Sequence, residues 1–231
     1  MLISHAHRFA FVHVPKTGGC SIGAAIGRHA DPVQDYWANR WLGRVGIHVN
    51  HLAPYRWKRF RCHTSADTLR AHLPPAVFAG LFKFAFVRNP WDLLVSYYHF
   101  LRRNAAHRRH GLAKRVRSFE EYVDYELHRD KISQSRMLAG RDGRLLVDFV
   151  GRFETLHQDF ASVCRRLGID AALPHVNGSG HRDYREFYDA RLAARVRWHF
   201  SDDIDRFGYS FDGCADPVAP PVDRDGVRLA A

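Results

Sequence analysis

Residues 9–21 carry the strongest structural signal in this chain and read Phe-Ala-Phe-Val-His-Val-Pro-Lys-Thr-Gly-Gly-Cys-Ser. The first six residues are rich in aromatic and branched side chains, which is typical of a buried strand. A proline and two glycines interrupt that pattern, and the apolar residues Ile22, Ala25 and Ile26 then follow a helical period. A strand, a glycine-containing loop and a helix start make a cradle for an anion, because backbone N–H groups and the helix dipole both point at the ligand.

The side chains of this loop suit a phosphate ligand. Gly18 and Gly19 allow the backbone to approach the ligand closely. Lys16 adds a mobile positive charge, while Thr17 and Ser21 add hydroxyl donors. The loop is not a Walker A motif, because its lysine precedes the glycines. An ordinary strand-to-helix turn with a surface lysine is the alternative interpretation.

A second segment repeats this design and reads Phe84-Ala-Phe-Val-Arg-Asn-Pro-Trp-Asp-Leu-Leu-Val-Ser-Tyr-Tyr98. Residues 82–87 predict a strand and residues 90–103 a helix with proline in its first turn. Arg88 follows the strand, and Ser96 lies eight residues on, about two helical turns, so it can share a face with the helix start. A guanidinium and a hydroxyl placed in this way can both bind the same phosphate. A helix-capping arginine and a serine bonded to the backbone are the alternative.

The rest of the chain alternates strands with helices. The pattern predicts further helices over about 65–73, 119–127, 155–167 and 189–200, and a third strand over 145–153. Such alternation predicts an α/β fold, a P-loop-like three-layer α/β/α sandwich around a central parallel sheet. We expect residues 1–211 to form a single domain and residues 212–231, rich in Pro, Asp and Gly, to form a flexible tail.

The charge balance of the chain favours anionic partners. Among 231 residues, 35 Lys+Arg against 24 Asp+Glu leave a net charge of +11. This field suits a phosphorylated cofactor, an acidic polymer, nucleic acid or a membrane surface, and does not choose among them. The 4 cysteines are far apart, which predicts isolated thiols. Because no apolar run approaches ~18 residues and the start lacks a leader pattern, we expect a cytoplasmic protein.

The two segments together resemble a known enzyme family. Pro-Lys-Thr-Gly-Gly-x-Ser after one strand and Val-Arg-Asn-Pro-Trp-Asp after another resemble the sulfotransferases that use 3′-phosphoadenosine 5′-phosphosulfate (PAPS). The similarity is greatest to the carbohydrate branch that includes the uronyl 2-O-sulfotransferases and small bacterial relatives. It extends over about residues 8–211 and includes Asp148–Glu154, Leu173–Asn177, Tyr184–Tyr188 and Asp202–Tyr209.

This resemblance implies a donor, a product and the residues that bind them. PAPS would be the donor and adenosine 3′,5′-bisphosphate (PAP) the product. The loop Lys16–Ser21 would hold the 5′-phosphosulfate, while Arg88 and Ser96 would hold the 3′-phosphate. The family has Thr or Ser where this chain has Cys20, a departure that keeps the backbone cradle and removes one hydroxyl donor.

In-line transfer of a sulfuryl group to a hydroxyl needs a cation at the leaving phosphate and a base for the hydroxyl proton. We expect Lys16 to supply the cation. The base should be a neutral histidine, and His63 is the first candidate, because similar sulfotransferases carry a histidine before a short helix here. The predicted helix start would also depress its pKa. His48 and His51 are the alternative candidates for the base, whereas His13 is expected to be a core residue. This scheme requires no metal.

The sequence is least informative about the acceptor. We expect a hydroxyl of a saccharide or glycolipid, no nucleic acid, and room for peripheral membrane contact. The basic cluster in residues 102–117 either lines the approach of an anionic saccharide or forms a solvated face. Ser179 and Arg182 fall where relatives place a loop over the cofactor, and a plain surface turn is the alternative.

Two other functions are alternatives to sulfuryl transfer. A P-loop-type kinase would need the Walker A order and an acidic Mg²⁺ ligand at a strand end, and the second strand ends in Arg88-Asn89 instead. A basic nucleic-acid-binding module would need a recognisable motif or aromatic residues among its basic ones. Residues 102–117 contain no aromatic residue.

Overall fold

A four-stranded sheet forms the centre of the computed structural model, which describes residues 1–31, 41, 60, 62–130, 132–174 and 182–214. The strands lie in the order β1 (Leu2–Ser4), β2 (Phe9–Val12), β3 (Phe82–Val87) and β4 (Phe149–Arg152). β2, β3 and β4 are parallel, whereas β1 is antiparallel to β2. The sheet is therefore mixed rather than wholly parallel, because a short turn after β1 returns the chain beside it.

Helices surround this sheet in the described part of the chain. They are α1 (Gly19–Ile26), α2 (Ala66–His72), α3 (Pro75–Gly80), α4 (Pro90–Arg103), α5 (His110–Arg115), α6 (Phe119–Arg129), α7 (Gln134–Leu138), α8 (Leu156–Leu167), α9 (Ala190–His199) and α10 (Ser201–Phe207). Short 3-10 helices cover Gly27–His29 and Tyr184–Phe187.

The two faces of the sheet carry different cores, because side chains alternate along a strand. Phe11 and Phe84 lie on one face and pack against α1 and α8. Val12, Ala85 and Val87 lie on the other face and pack against α4, α6, α9 and α10. Two helical layers with a sheet between them confirm the predicted three-layer α/β/α sandwich.

The parallel register brings the carboxyl ends of three strands to one edge of the sheet. Val12 at the end of β2 lies opposite Ala85, and Val87 at the end of β3 lies opposite Arg152. The glycine loop and the start of α4 therefore leave the sheet at the same edge. Open α/β sheets bind their ligands at this edge.

The predicted elements agree with the structure where the sequence pattern is long and regular. α4 has the predicted bounds, and α2, α6, α8 and α9 agree within two residues at each end. The short helices α3, α5, α7 and α10 were not predicted. The helix α2 ends at His72, just before Pro74-Pro75, and Pro75 begins α3, because a proline in the first turn loses no intrahelical hydrogen bond.

The ends of the third strand and of the domain also differ from the expectation. β4 is shorter than predicted, and Leu145 instead forms a bridge to Ala139. Within the predicted tail, β6 (Gly213–Cys214) pairs with β5 (Tyr209–Ser210) as a small hairpin. Residues 215–231 lie outside the described residues. Within the described ranges, no helix has the length and apolar character that crossing a bilayer requires.

Candidate active site

The glycine loop is built for close approach to a ligand. Gly18 caps α1 with a φ of 82° and offers no side chain to its N–H groups. A Cβ on Gly19 would lie 1.9 Å from Nε2 of His13, so only glycine fits there. Because an α-helix leaves its first N–H groups without intrahelical partners, the start of α1 presents donors to an anion.

Lys16 lies in the strained part of this loop. Its φ of 67° is left-handed, a conformation that costs a residue with a Cβ about 1–3 kcal/mol and that collects at functional sites. Its ammonium lies 4.3 Å from the centre of the Phe100 ring on α4. Burial first, and then the charge of Arg88, lowers the pKa of Lys16, as expected where two cations share one half-buried site.

The hydroxyl groups of the loop have different surroundings. Thr17 is fully buried, and its Oγ1 donates to the Val14 carbonyl at 2.8 Å, so its proton stabilises the loop. Ser21 is buried in the first turn of α1. Cys20 is exposed with a free thiol.

Arg88 is held from several directions at the end of β3. The residue is 3% exposed, and its guanidinium lies 4.0 Å from the centre of the Phe153 ring. Nη1 donates to the Lys16 carbonyl at 3.3 Å, and Nε donates to Asp92 at 2.8 Å. This arrangement joins the second segment to the glycine loop.

A residue distant in sequence fixes the backbone of Arg88. Gln134, the first residue of α7, accepts from the Arg88 N–H at 2.8 Å and donates to the Arg88 carbonyl at 2.7 Å. Gln134 is itself held by Asp203, which accepts from its N–H at 2.8 Å. The sequence reasoning missed Asp92 and Gln134. The spacing of four residues after Arg88 could have indicated Asp92, whereas no local signal indicates Gln134.

Ser96 carries a buried hydroxyl that can still form hydrogen bonds. It lies one turn after Asp92 on α4 and is 2% exposed. Among the residues that the structure describes, its Oγ has no hydrogen-bond partner. Buried hydroxyls are almost always paired in folded proteins, so an unpaired one calls for an explanation such as an absent ligand.

Asn89 and Glu154 brace the same edge of the sheet. The Asn89 side chain caps α4 by accepting from the Trp91 N–H at 3.1 Å. Its own N–H donates to Glu154 at 2.7 Å, and the Tyr209 hydroxyl donates to the other carboxylate oxygen at 3.0 Å. Burial raises the pKa of Glu154.

His63 lies at the same edge, in a cluster with two other side chains. Its Nδ1 is 3.0 Å from the His13 carbonyl oxygen, and the two imidazole rings are 4.6 Å apart between centres. Nδ1 of His13 is 3.0 Å from Sγ of Cys62. His13 is buried, as predicted, and it places the cluster against Gly19 of the anion cradle.

The predicted pKa of His63 was wrong in direction. Hydrogen bonds with His13 and His63 lower the pKa of Cys62 to about 5, and the hydrogen bond with Cys62 raises the pKa of His63. The hydrogen bond with Cys62 is the largest cause of this shift, and α2 begins only at Ala66, after its own cap, Ser65. Cys62 has a free thiol, as its sequence spacing predicts, and this thiol contacts His13.

Of the remaining candidate residues, the structure describes Arg182. His48, His51 and Ser179 fall outside the described residues. Arg182 is described, and its exposed guanidinium lies 3.9 Å from the Glu186 carboxylate.

The basic cluster in residues 102–117 has in part a structural role. Arg102 donates to the Tyr98 hydroxyl at 2.9 Å. Arg109 forms an ion pair with Glu126, which is fully buried and is also bonded to Arg129 at 2.9 Å. The remaining basic side chains of the cluster are exposed, namely Arg103, Arg108, Lys114, Arg115 and Arg117.

Residues 1–210 match the family model for the sulfotransferase family. The chain belongs to this family. It is therefore an enzyme of sulfuryl transfer, and the kinase and nucleic-acid interpretations are set aside. An uncharacterized protein of Archaeoglobus fulgidus is 28% identical over 120 residues, which cover 51% of this chain and 94% of that protein.

A solved sulfotransferase has the same architecture. The crystal structure of mouse sulfotransferase SULT7A1, complexed with PAP, matches with a TM-score of 0.52. The match covers 87% of this chain and 85% of that chain at 15% sequence identity. This likeness supports the predicted sulfotransferase fold.

Proposed function

We propose that this sulfotransferase transfers a sulfuryl group from PAPS to a hydroxyl of an anionic saccharide. The observation that carries the donor assignment is the Ser96 hydroxyl, which is buried on the helix that follows Arg88 and has no hydrogen-bond partner among the described residues. A 3′-phosphate between the guanidinium and this hydroxyl would complete the hydrogen bonding of Ser96.

The glycine loop fits the other end of the donor. The start of α1 offers N–H groups to a second anionic group, and Gly18 caps this helix without a side chain that would bond to them. Residues Lys16–Ser21 would hold the 5′-phosphosulfate. Two separated anion sites joined by the Arg88–Lys16 hydrogen bond suit a nucleotide that is phosphorylated at both its 3′ and 5′ ends.

Lys16 and His63 supply the chemistry in this proposal. When bound, PAPS supplies the sulfuryl group, and its phosphate leaves with the bonding electron pair. Lys16 neutralises the charge that develops on that phosphate. His63, in its neutral form, accepts the proton of the acceptor hydroxyl. The neutral form is populated at higher pH than in an ordinary histidine, because Cys62 raises the pKa of His63.

An anionic acceptor is supported by the charge distribution. The first exposed member of the basic cluster is Arg103, seven residues after Ser96 on α4, which is about 10 Å along the helix axis. Its exposed members include Lys114 and Arg115. Together with the net charge of +11, they favour the approach of an acidic saccharide.

The donor assignment is tested by thermal stabilisation with PAP. A concentration of about 100 times Kd should add roughly 2.7 kcal/mol to the free energy of unfolding. We expect a clear shift in the wild type, a smaller one in Arg88→Lys and Lys16→Ala, and an unchanged one in the control Lys114→Ala, whose side chain is exposed. A folded wild-type protein that shows no shift at millimolar PAP would contradict the proposal.

The acceptor assignment is tested by sulfation assays with acidic and neutral saccharides. We expect transfer to the acidic saccharide, with a KM that rises in Lys114→Ser with Arg115→Ser and at high salt, since exposed charges are screened. Arg141→Ser removes another highly exposed arginine and serves as the matched control. Equal rates with neutral saccharides in all variants would contradict an anionic acceptor.

A further inference from the structure

Three metal-binding side chains meet beside the anion cradle. His13, Cys62 and His63 each offer one ligand atom, and these atoms lie within 4.8 Å of one another. They come from two parts of the chain, the residue after β2 and the turn before α2. In the described part of the chain they form a set of two imidazoles and one thiol.

The orientation of His63 suits a ligand to a metal. Its Nδ1 lies 3.0 Å from the His13 carbonyl oxygen, which can only accept a hydrogen bond, so Nδ1 is the donor. This hydrogen bond assigns the proton to Nδ1 and leaves the lone pair on Nε2. Histidines that bind metals almost always donate their other ring N–H in this way, and the hydrogen bond fixes both tautomer and ring direction.

The ring of His13 is held in place by its neighbours. It stacks on Phe11, with 5.5 Å between ring centres and 17° between planes, and its Nε2 lies against Gly19. Its Nδ1 therefore faces Sγ of Cys62 at 3.0 Å. Zn²⁺ at about 2.3 Å from sulfur and about 2.0 Å from nitrogen would separate these atoms by about 3.5 Å, so the thiol moves by only about 0.5 Å.

The chemistry of Cys62 is also suitable. The thiolate is the form that binds metals, and metal binding releases the thiol proton. Cys62 and His63 are exposed, which provides a path of entry. A thiolate with two imidazoles suits Zn²⁺ and similar transition metals, whereas Mg²⁺ and Ca²⁺ require oxygen ligands.

We propose that His13, Cys62 and His63 bind one divalent transition metal of the Zn²⁺ class. Three protein ligands leave the fourth tetrahedral position open. The metal takes the lone pair of His63, so, if His63 is the base of the proposed function, the bound metal inhibits sulfuryl transfer. Removal of the metal then restores the base.

The test is a Co²⁺ titration of the full-length protein, purified without a polyhistidine tag and stripped with a chelator. We expect one equivalent of Co²⁺ to produce a thiolate-to-metal charge-transfer band that Zn²⁺ removes. Cys62→Ser should abolish this band. His63→Ala should weaken Co²⁺ binding by more than the roughly 10–100-fold that loss of an outer-shell partner costs. The control Cys214→Ser removes an exposed free thiol outside the cluster and should leave the titration unchanged.

The outcomes separate the metal site from the proposed function. Absence of the band in the wild type, or its survival in Cys62→Ser, would overturn the metal site. Circular dichroism and stabilisation by PAP verify that each variant is folded. If one equivalent of Zn²⁺ binds and the sulfation rate is unchanged, the metal site is upheld and the role of His63 as base is wrong. If PAP fails to bind while the Co²⁺ band appears, the proposed donor fails and the metal site remains.

Discussion

Ser96→Ala should separate ligand binding from folding, because its hydroxyl is buried and has no partner among the described residues. An unpaired buried hydroxyl costs a folded protein about 1–3 kcal/mol. Its removal should therefore leave the free energy of unfolding of the ligand-free protein unchanged or raise it by as much as this amount. For a chain of this length, each 1 kcal/mol corresponds to about 2–4 °C in Tm.

The same substitution should weaken PAP binding. A hydrogen bond to a charged group contributes about 1.5–3 kcal/mol, so Kd should rise roughly 10–100-fold. Isothermal titration calorimetry gives Kd, and thermal melts with and without PAP give both stabilities. The expected result is an unchanged or higher Tm without ligand and a smaller shift with ligand.

Ser4→Ala is the matched control for this experiment. Ser4 is fully buried on β1, and its Oγ accepts from the His7 N–H at 3.1 Å. Its loss should lower the Tm of the ligand-free protein and leave Kd for PAP unchanged. If Ser96→Ala behaves like Ser4→Ala, the Ser96 hydroxyl has a structural partner and the reasoning about the 3′-phosphate is wrong.

Four further substitutions, of which Gly23→Ala is a control, test other parts of the site and the core. Gly19→Ala places a Cβ against buried His13 and should lower the free energy of unfolding by about 1–3 kcal/mol. The control Gly23→Ala lies in the same helix, where a Cβ meets open space, and should raise the free energy of unfolding by about 0.5–1 kcal/mol. The affinity for PAP should fall as the pH rises through the lowered pKa of Lys16, because only the ammonium form attracts the phosphates. Lys16→Arg keeps its charge over this range, so titrations with PAP from neutral to alkaline pH should show no such fall in affinity. Glu126→Ala leaves the partly buried Arg109 and Arg129 without this carboxylate partner and should lower the free energy of unfolding in urea by about 1–3 kcal/mol.

Each of these predictions has an outcome that contradicts it. Equal stability of Gly19→Ala and the wild type would mean that His13 does not pack closely against Gly19. A pH dependence that Lys16→Arg retains would assign it to another group. Unchanged unfolding of Glu126→Ala would mean that the basic cluster is solvated, as the alternative interpretation of the sequence held.

Local sequence signals were sufficient for the framework of this protein. Strand β3, helix α4 and the glycine loop follow from apolar periodicity and turn chemistry, which act between residues close in the chain. Arg88 and Ser96 could be named because they lie in one segment with helical spacing. The short helices α5 and α7 were missed, since each has too few residues to display a period.

Partners that are distant along the chain needed the folded structure. Gln134 holds the backbone of Arg88 from 46 residues away, and Cys62 reaches His13 from 49 residues away. The pKa of His63 was predicted from the nearby helix start, and the contact with Cys62 reversed its direction. Spacing and periodicity report the local backbone, whereas these contacts depend on the strand register and on how helices pack across the sheet, which no short segment encodes.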